Sequence, residues 1–172
     1  MASGLLQYTR TNDGKGFKQN TYAGDYVFRG RAFSVSQTFD IAQSGTLYVL
    51  FDISKLEKNL VLYPPSFASY GGGATIDVYV GTDYTGGTDM LEQNRSYRGG
   101  KNQCDLKSEP TGSNKGTLFT QFLVPGAFRT GGTSADELEF EPPVNLGNYL
   151  LEITNLEGSQ GIKFNISFVW FE

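Results

Sequence analysis

The sequence predicts an all-β protein, a β-sandwich of about eight short antiparallel strands led by an extended N-terminal arm. Three observations carry this expectation. Apolar residues recur at every second position in segment after segment, Gly and Pro punctuate the chain at short intervals, and no segment long enough for a helix has an amphipathic 3.6-residue period.

In chain order, residues 1–30 are polar and Gly-rich with little periodicity. Asn12-Asp13-Gly14 is turn chemistry, since these residues tolerate positive φ. This segment is expected to be an extended arm with one short strand near Tyr26–Phe28, and residues 31–172 are expected to form a single sandwich domain. Phe33, Val35, Phe39 and Ile41 alternate with Ser34, Ser36, Thr38 and Asp40, the pattern of a half-buried strand. Thr46–Asp52 is apolar on both faces and reads as a central strand covered on both sides. Leu56–Asn59 is a polar loop or a single helical turn. Leu60–Tyr63 resumes a strand, and Pro64-Pro65 stops it because neither proline can donate to a ladder.

After Gly71-Gly72-Gly73, Ile76, Val78 and Val80 alternate with Thr75, Asp77 and Tyr79. Residues 81–116 are the least periodic stretch and read as a long loop, the kind of segment that often forms a functional surface. Thr117–Val124 is a strand stopped by Pro125-Gly126. Leu138 and Phe140 sit two apart inside an acidic run that Pro142-Pro143 ends. Tyr149, Leu151 and Ile153 share one face of the next strand. In the last strand Ile162, Phe164, Ile166, Phe168 and Trp170 occupy one face without a break. A helix would scatter those five side chains around its axis. Many short strands between turns fit a sandwich or barrel, and the count fits a jelly roll of two packed Greek-key sheets.

Composition limits the function classes. The chain of 172 residues suits one domain and can bury a core without staples. It contains 13 Phe and 10 Tyr, residues that pack well on pleated sheets. His is absent and Cys104 is the single cysteine, so neither an intramolecular disulfide nor a zinc site with two or more Cys or His ligands can form. The opening residues lack the pattern of a secretory signal, and no apolar run approaches a membrane span. No membrane partner and no cofactor is expected. Net charge is −4, divided unevenly. Residues 1–31 carry Arg10, Lys15, Lys18, Arg29 and Arg31 against Asp13 and Asp25, a balance of +3, which leaves −7 for the remainder. A basic arm on an acidic body could dock on an acidic neighbour, although an ordinary solvated segment would look the same. Basic groups this dilute do not make a nucleic-acid footprint.

The chemistry-bearing residues point away from catalysis. Without His, the usual Ser–His–Asp and Cys–His arrangements are impossible. Cys104 lies in the polar stretch NQCDLK, where Asp105 disfavours the thiolate. Asp136, Glu137, Glu139 and Glu141 form an acidic cluster. Its simplest role is a charged edge that discourages aggregation, with calcium binding second and a glycosidase-type pair third. The Gly-rich stretches match neither phosphate-loop nor dinucleotide spacing and are read as turns. Asn94-Arg95-Ser96 and Asn165-Ile166-Ser167 match the glycosylation pattern, the second inside a strand. Arg95, Tyr97 and Arg98 crowd into the long loop, and Tyr and Arg are typical of binding hot spots. With Tyr79 and Tyr84 they are the candidate interface residues.

Several segments together resemble a family of small tailed-bacteriophage virion proteins. The resemblance spans Leu47 to Glu172. It rests on Tyr48–Asp52 (YVLFD), Asn59–Ser69 (NLVLYPPSFAS), Gly71–Gly87 (GGGATIDVYVGTDYTGG), Asn94-Arg95, Gly131-Gly132 before the acidic run, and the closing pair NYLLEITN and GIKFNISFVWFE. The family implies a jelly-roll β-sandwich that decorates or cements a capsid. Its expected partner is the major capsid protein, its place is the virion assembled in the host cytoplasm, and its preferred oligomer is a homotrimer. It has no active site to carry over. The alternative reading is a carbohydrate- or receptor-binding module of the virion, a tail or head-fibre component, with loop tyrosines as a stacking platform. A lyase or hydrolase using carboxylates and tyrosine is the third.

Overall fold

A computed structural model describes residues 6–10, 17–21, 32–53, 61–62, 65–90, 92–94, 104–127 and 148–171. Every regular element among them is a strand: β1 Leu6–Arg10, β2 Phe17–Thr21, β3 Ala32–Ile41, β4 Thr46–Asp52, β5 Val61–Leu62, β6 Ser66–Tyr70, β7 Ala74–Val80, β8 Thr88–Asp89, β9 Glu92–Asn94, β10 Asp105–Ser108, β11 Thr117–Val124, β12 Gly126–Ala127, β13 Tyr149–Asn155 and β14 Ile162–Phe171. The protein is an all-β sandwich, as the alternation predicts.

One sheet runs β11-β7-β13-β4-β10-β8. The other runs β12-β6-β14-β3-β9, with β5 also pairing β14. The first strand of the sandwich thus pairs with the last, β3 with β14 from Ala32↔Phe171 to Ile41↔Ile162. The second pairs with the last but one, β4 with β13. Next outward, β6 lies against β14 and β7 against β13. All these pairings are antiparallel; the short β12 joins β6 in parallel.

The core lies between the two sheets. The uninterrupted face of β14 is wholly inside, with Ile162, Phe164, Ile166, Phe168 and Trp170 all buried. Trp170 stacks on Phe33 at 5.8 Å between ring centroids and meets Phe51 edge-on at 6.0 Å. Such pairs add about 0.5–1.5 kcal/mol beyond the area they bury. Leu47, Val49 and Phe51 of β4, Ile76 and Val78 of β7, and Leu151 and Ile153 of β13 face them. Leu50 and Leu150 are also fully buried although they point the other way. This accounts for the two-sided apolar pattern of Thr46–Asp52.

The structure differs from the sequence reading in three places. Within the leading segment β1 and β2, unforeseen in the sequence, pair antiparallel as a sheet of their own, from Leu6↔Thr21 to Arg10↔Phe17. Residues 81–116 are not one long loop but contribute β8, β9 and β10, and β10 sits inside its sheet between β4 and β8. The short β6 also follows Pro64-Pro65 at once. There Ser69 is buried with its hydroxyl donating to the Gly72 carbonyl, which lets a polar residue occupy a core position. The expected strand at Tyr26–Phe28, the polar loop at Leu56–Asn59 and the strand through Leu138 and Phe140 lie outside the described residues.

Candidate functional site

The outward face of the β7-β13-β4 sheet carries a polar cluster that joins four distant parts of the chain. Register places it. Glu152 of β13 is opposite Tyr48 on one side and Asp77 on the other, and Tyr79 shares the face of Asp77 two residues along. Each oxygen of the Glu152 carboxylate takes one tyrosine. Tyr48 donates to Oε1 and Tyr79 to Oε2, both at 3.0 Å. Lys115, from the segment leading into β11, donates to the same oxygens at 2.7 and 2.8 Å. Its ammonium lies 5.5 Å from the Tyr48 ring centre and 5.7 Å from that of Tyr79, close enough for cation–π attraction. Tyr84 packs its ring 5.6 Å from Tyr48.

The electrostatics of this cluster lock its charges. Partial burial alone would raise the Glu152 pKa. Hydrogen bonds from Lys115, Tyr79 and Tyr48, with the lysine charge, outweigh burial and hold it below the ordinary carboxylate value. The hydrogen bond to Glu152 raises Lys115 against the opposing effect of burial. Burial and the bond to Glu152 raise both Tyr48 and Tyr79. Every pKa is therefore moved further from neutral pH, whereas a general acid or base works best with a pKa near the operating pH. The arrangement suits a structural clamp: an ionised acid, a charged lysine and two protonated phenols.

A second network holds the loop that delivers Lys115. Asp83 Oδ1 accepts from the backbone N–H groups of Ser113 and Asn114 at 3.0 and 2.9 Å, and Oδ2 accepts from the Ser113 hydroxyl at 2.8 Å. These bonds, with those of the Asn114 backbone foremost, lower the Asp83 pKa. Thr85 and Thr111 bridge the two segments through reciprocal backbone bonds. Gly116 closes the turn at φ +92°, where a Cβ would lie 2.2 Å from the Val80 carbonyl oxygen. Only glycine fits that approach.

The sandwich also carries an uncharged, partly exposed outer strand. β11 ends its sheet, and among the described residues it pairs with β7 alone. Its side chains include Leu118, Phe119 and Leu123, which are 52%, 41% and 65% exposed. No residue of Thr117–Val124 is charged. A one-residue register shift at Phe119 interrupts the ladder between Leu118↔Tyr79 and Thr120↔Val78.

Of the sequence-predicted interface residues, Tyr79 and Tyr84 do lie on one face, but neither is freely exposed. Tyr79 is half-buried with its hydroxyl on Glu152, and Tyr84 is half-buried on Tyr48. Arg95, Tyr97 and Arg98 lie outside the described residues, as does the acidic run 136–141. Cys104 is not in a polar loop. Its side chain is fully buried in the core cluster. Sequence reasoning missed Tyr48, Lys115 and Glu152. The available signal was Glu152 itself, a lone charge between Leu151 and Ile153 in an otherwise apolar strand. Among the described residues no group of three or more Cys, Asp or Glu is placed to hold a metal ion, and no helix is long and apolar enough to cross a membrane. No family model, curated protein or solved structure matches the chain.

Proposed function

We propose that the chain is a bacteriophage structural protein that binds the surface of an assembled capsid and decorates or cements it. The observation that carries this reading is the nested winding of the sandwich, with β3 on β14 and β4 on β13, then β6 and β7 outside them. First-with-last pairing of this kind lies at the centre of a jelly roll, an architecture used by capsid and lectin domains. The outer strands depart from a regular jelly roll, since β11 flanks β7 and β10 flanks β4. The locked cluster around Glu152 is consistent with a protein that binds rather than transforms. The partner in this reading is the major capsid protein, contacted many times over by symmetry, so that modest single contacts sum to a stable coat.

The carbohydrate-binding alternative needs open tyrosine faces. Tyr48 and Tyr79 instead have Lys115 against their rings and Glu152 on their hydroxyls, which favours the first reading. The test is co-sedimentation of the purified protein with capsids that lack it. Saturable binding is the expected result. Failure to co-sediment, or hits on a glycan array instead, would remove the decoration reading.

A further inference from the structure

The loop after β7 and the loop before β11 are fastened to each other more than to the sheet. Thr85 and Thr111 exchange backbone bonds at 2.9 and 3.0 Å, and the Asp83 N–H donates to the Asn114 carbonyl at 3.1 Å. The Thr82 hydroxyl donates to that same carbonyl, and the Asp83 carboxylate takes its three bonds from Ser113 and Asn114. Gly112 lies so close to Tyr84 that a Cβ there would stand 2.4 Å from the ring. Toward the sheet, the hydrogen bonds and ring contacts of residues 82–85 and 111–115 come from two side chains among the described residues. Lys115 sits on Glu152 and the rings of Tyr48 and Tyr79, and Tyr84 sits on Tyr48. Gly81 and Gly116, at φ +68° and +92°, join the two loops to β7 and β11. Glycines at such positions can absorb the backbone rotation of a hinge. We infer that the two loops form a single acid-released flap, zipped together through Asp83 and latched to the sheet through Lys115 on Glu152.

Both fastenings depend on a carboxylate. The groups that face Glu152 are Tyr48 from β4, Asp77 and Tyr79 from β7, and Lys115 from the flap. Asp77 is itself taken up by the Gln121 amide of β11, and Lys115 is the cation of the set. Asp83 faces Ser113 and Asn114, which carry no charge. The hydrogen bonds these two carboxylates accept hold both below the ordinary carboxylate range. Zip and latch are therefore complete at neutral pH, and both are lost as pH falls through the lowered folded values. The phenols stay protonated throughout, so they take no part in the titration. Once Glu152 is neutral it no longer offers a charge to the ammonium, and a charge-assisted hydrogen bond is about twice as strong as a neutral one. Lifting the flap withdraws Lys115 from two tyrosine rings and Tyr84 from one of them. What it gates is a pair of aromatic faces on a rigid sheet.

This device goes beyond the decoration reading and does not rest on it. Nuclear magnetic resonance of the purified full chain reads the latch directly. At neutral pH, cross-relaxation should join the Lys115 methylenes to the Tyr48 and Tyr79 rings, and the Tyr84 ring to that of Tyr48. Below about pH 4 these contacts should vanish together, while that of Phe33 with Trp170 in the core persists. Glu152→Gln should lose them at neutral pH, the Tyr84 contact included, although Tyr84 does not touch Glu152. Lys163→Met, which removes an exposed lysine bridged to Asp40 on the other sheet, should keep them all. The wild-type titration decides the matter even if the Glu152 variant misfolds. Three results each overturn the assignment. The flap contacts could persist at every acid pH at which the core contact persists. They could disappear only together with the core contact, which is unfolding of the whole domain. Or the Tyr84 contact could survive the loss of the Lys115 contacts, which makes the loops independent.

Discussion

Two parts of one sheet face offer a contrast. At its centre, Glu152 accepts four hydrogen bonds from Tyr48, Tyr79 and Lys115, and its carboxylate oxygens are saturated. At its rim, β11 presents exposed leucines and a strand edge with no pairing partner among the described residues. The centre is polar yet internally complete, so it contributes to the stability of one molecule. The rim is apolar, and its exposed leucines add little to the buried core. Polarity alone is thus a poor guide to which surface residues stabilise the fold; the hydrogen bonds and contacts each one makes are the better guide.

Removing Glu152 should break the centre most severely. Glu152→Ala leaves a lysine and two phenols without their acceptor in a partly buried place. It should cost about 2–3 kcal/mol in urea unfolding. A loss below 0.5 kcal/mol, roughly the range of ordinary surface changes, would mean that the cluster is decorative. The same site sets a pH dependence. Glu152 has a lowered pKa, so its contribution is fully present above the ordinary carboxylate value of about 4.3 and is lost as pH falls through its folded value. Lys115 has a raised pKa, so its contribution is complete below the ordinary value of about 10.4 and is lost as pH rises through its folded value. The stability gap between wild type and Glu152→Gln should therefore be flat between about pH 5 and 10 and narrow in acid. A gap that stays constant through acid would show that the carboxylate charge is not what matters.

Gly116→Ala sharpens the contrast from the backbone side. The added Cβ would collide with the Val80 carbonyl at 2.2 Å in a left-handed conformation, pulling Lys115 away from Glu152. About 2 kcal/mol of destabilisation is expected. Combined with Glu152→Ala the cost should be less than additive, because both act on one cluster. Tyr79→Phe removes a single donor and should cost about 1 kcal/mol. Full additivity in the first case, or no effect in the second, would separate the loop from the cluster.

The sequence shows the strands far more plainly than the polar cluster. Ala74–Val80 and Ile162–Phe171 declare themselves by alternation, because burial of one face forces a period of two on the side chains. β6 and β10 escape notice because each is short and holds one large apolar residue in the core, Phe67 and Leu106, too few for a period. The cluster is less legible still. Tyr48, Tyr79, Lys115 and Glu152 are more than thirty positions apart, and only the order β7-β13-β4 brings them together. Strand order comes from long-range pairing that no local pattern records.

At the rim the smallest effect is expected, and its smallness is informative. Leu123 is 65% exposed, so Leu123→Lys removes little buried area from the monomer and should change its unfolding free energy by no more than about 0.5 kcal/mol. Urea unfolding of the variant beside the wild type measures this directly. A loss above about 1 kcal/mol would show that Leu123 packs against the rest of the chain and that the rim contributes to stability as the centre does.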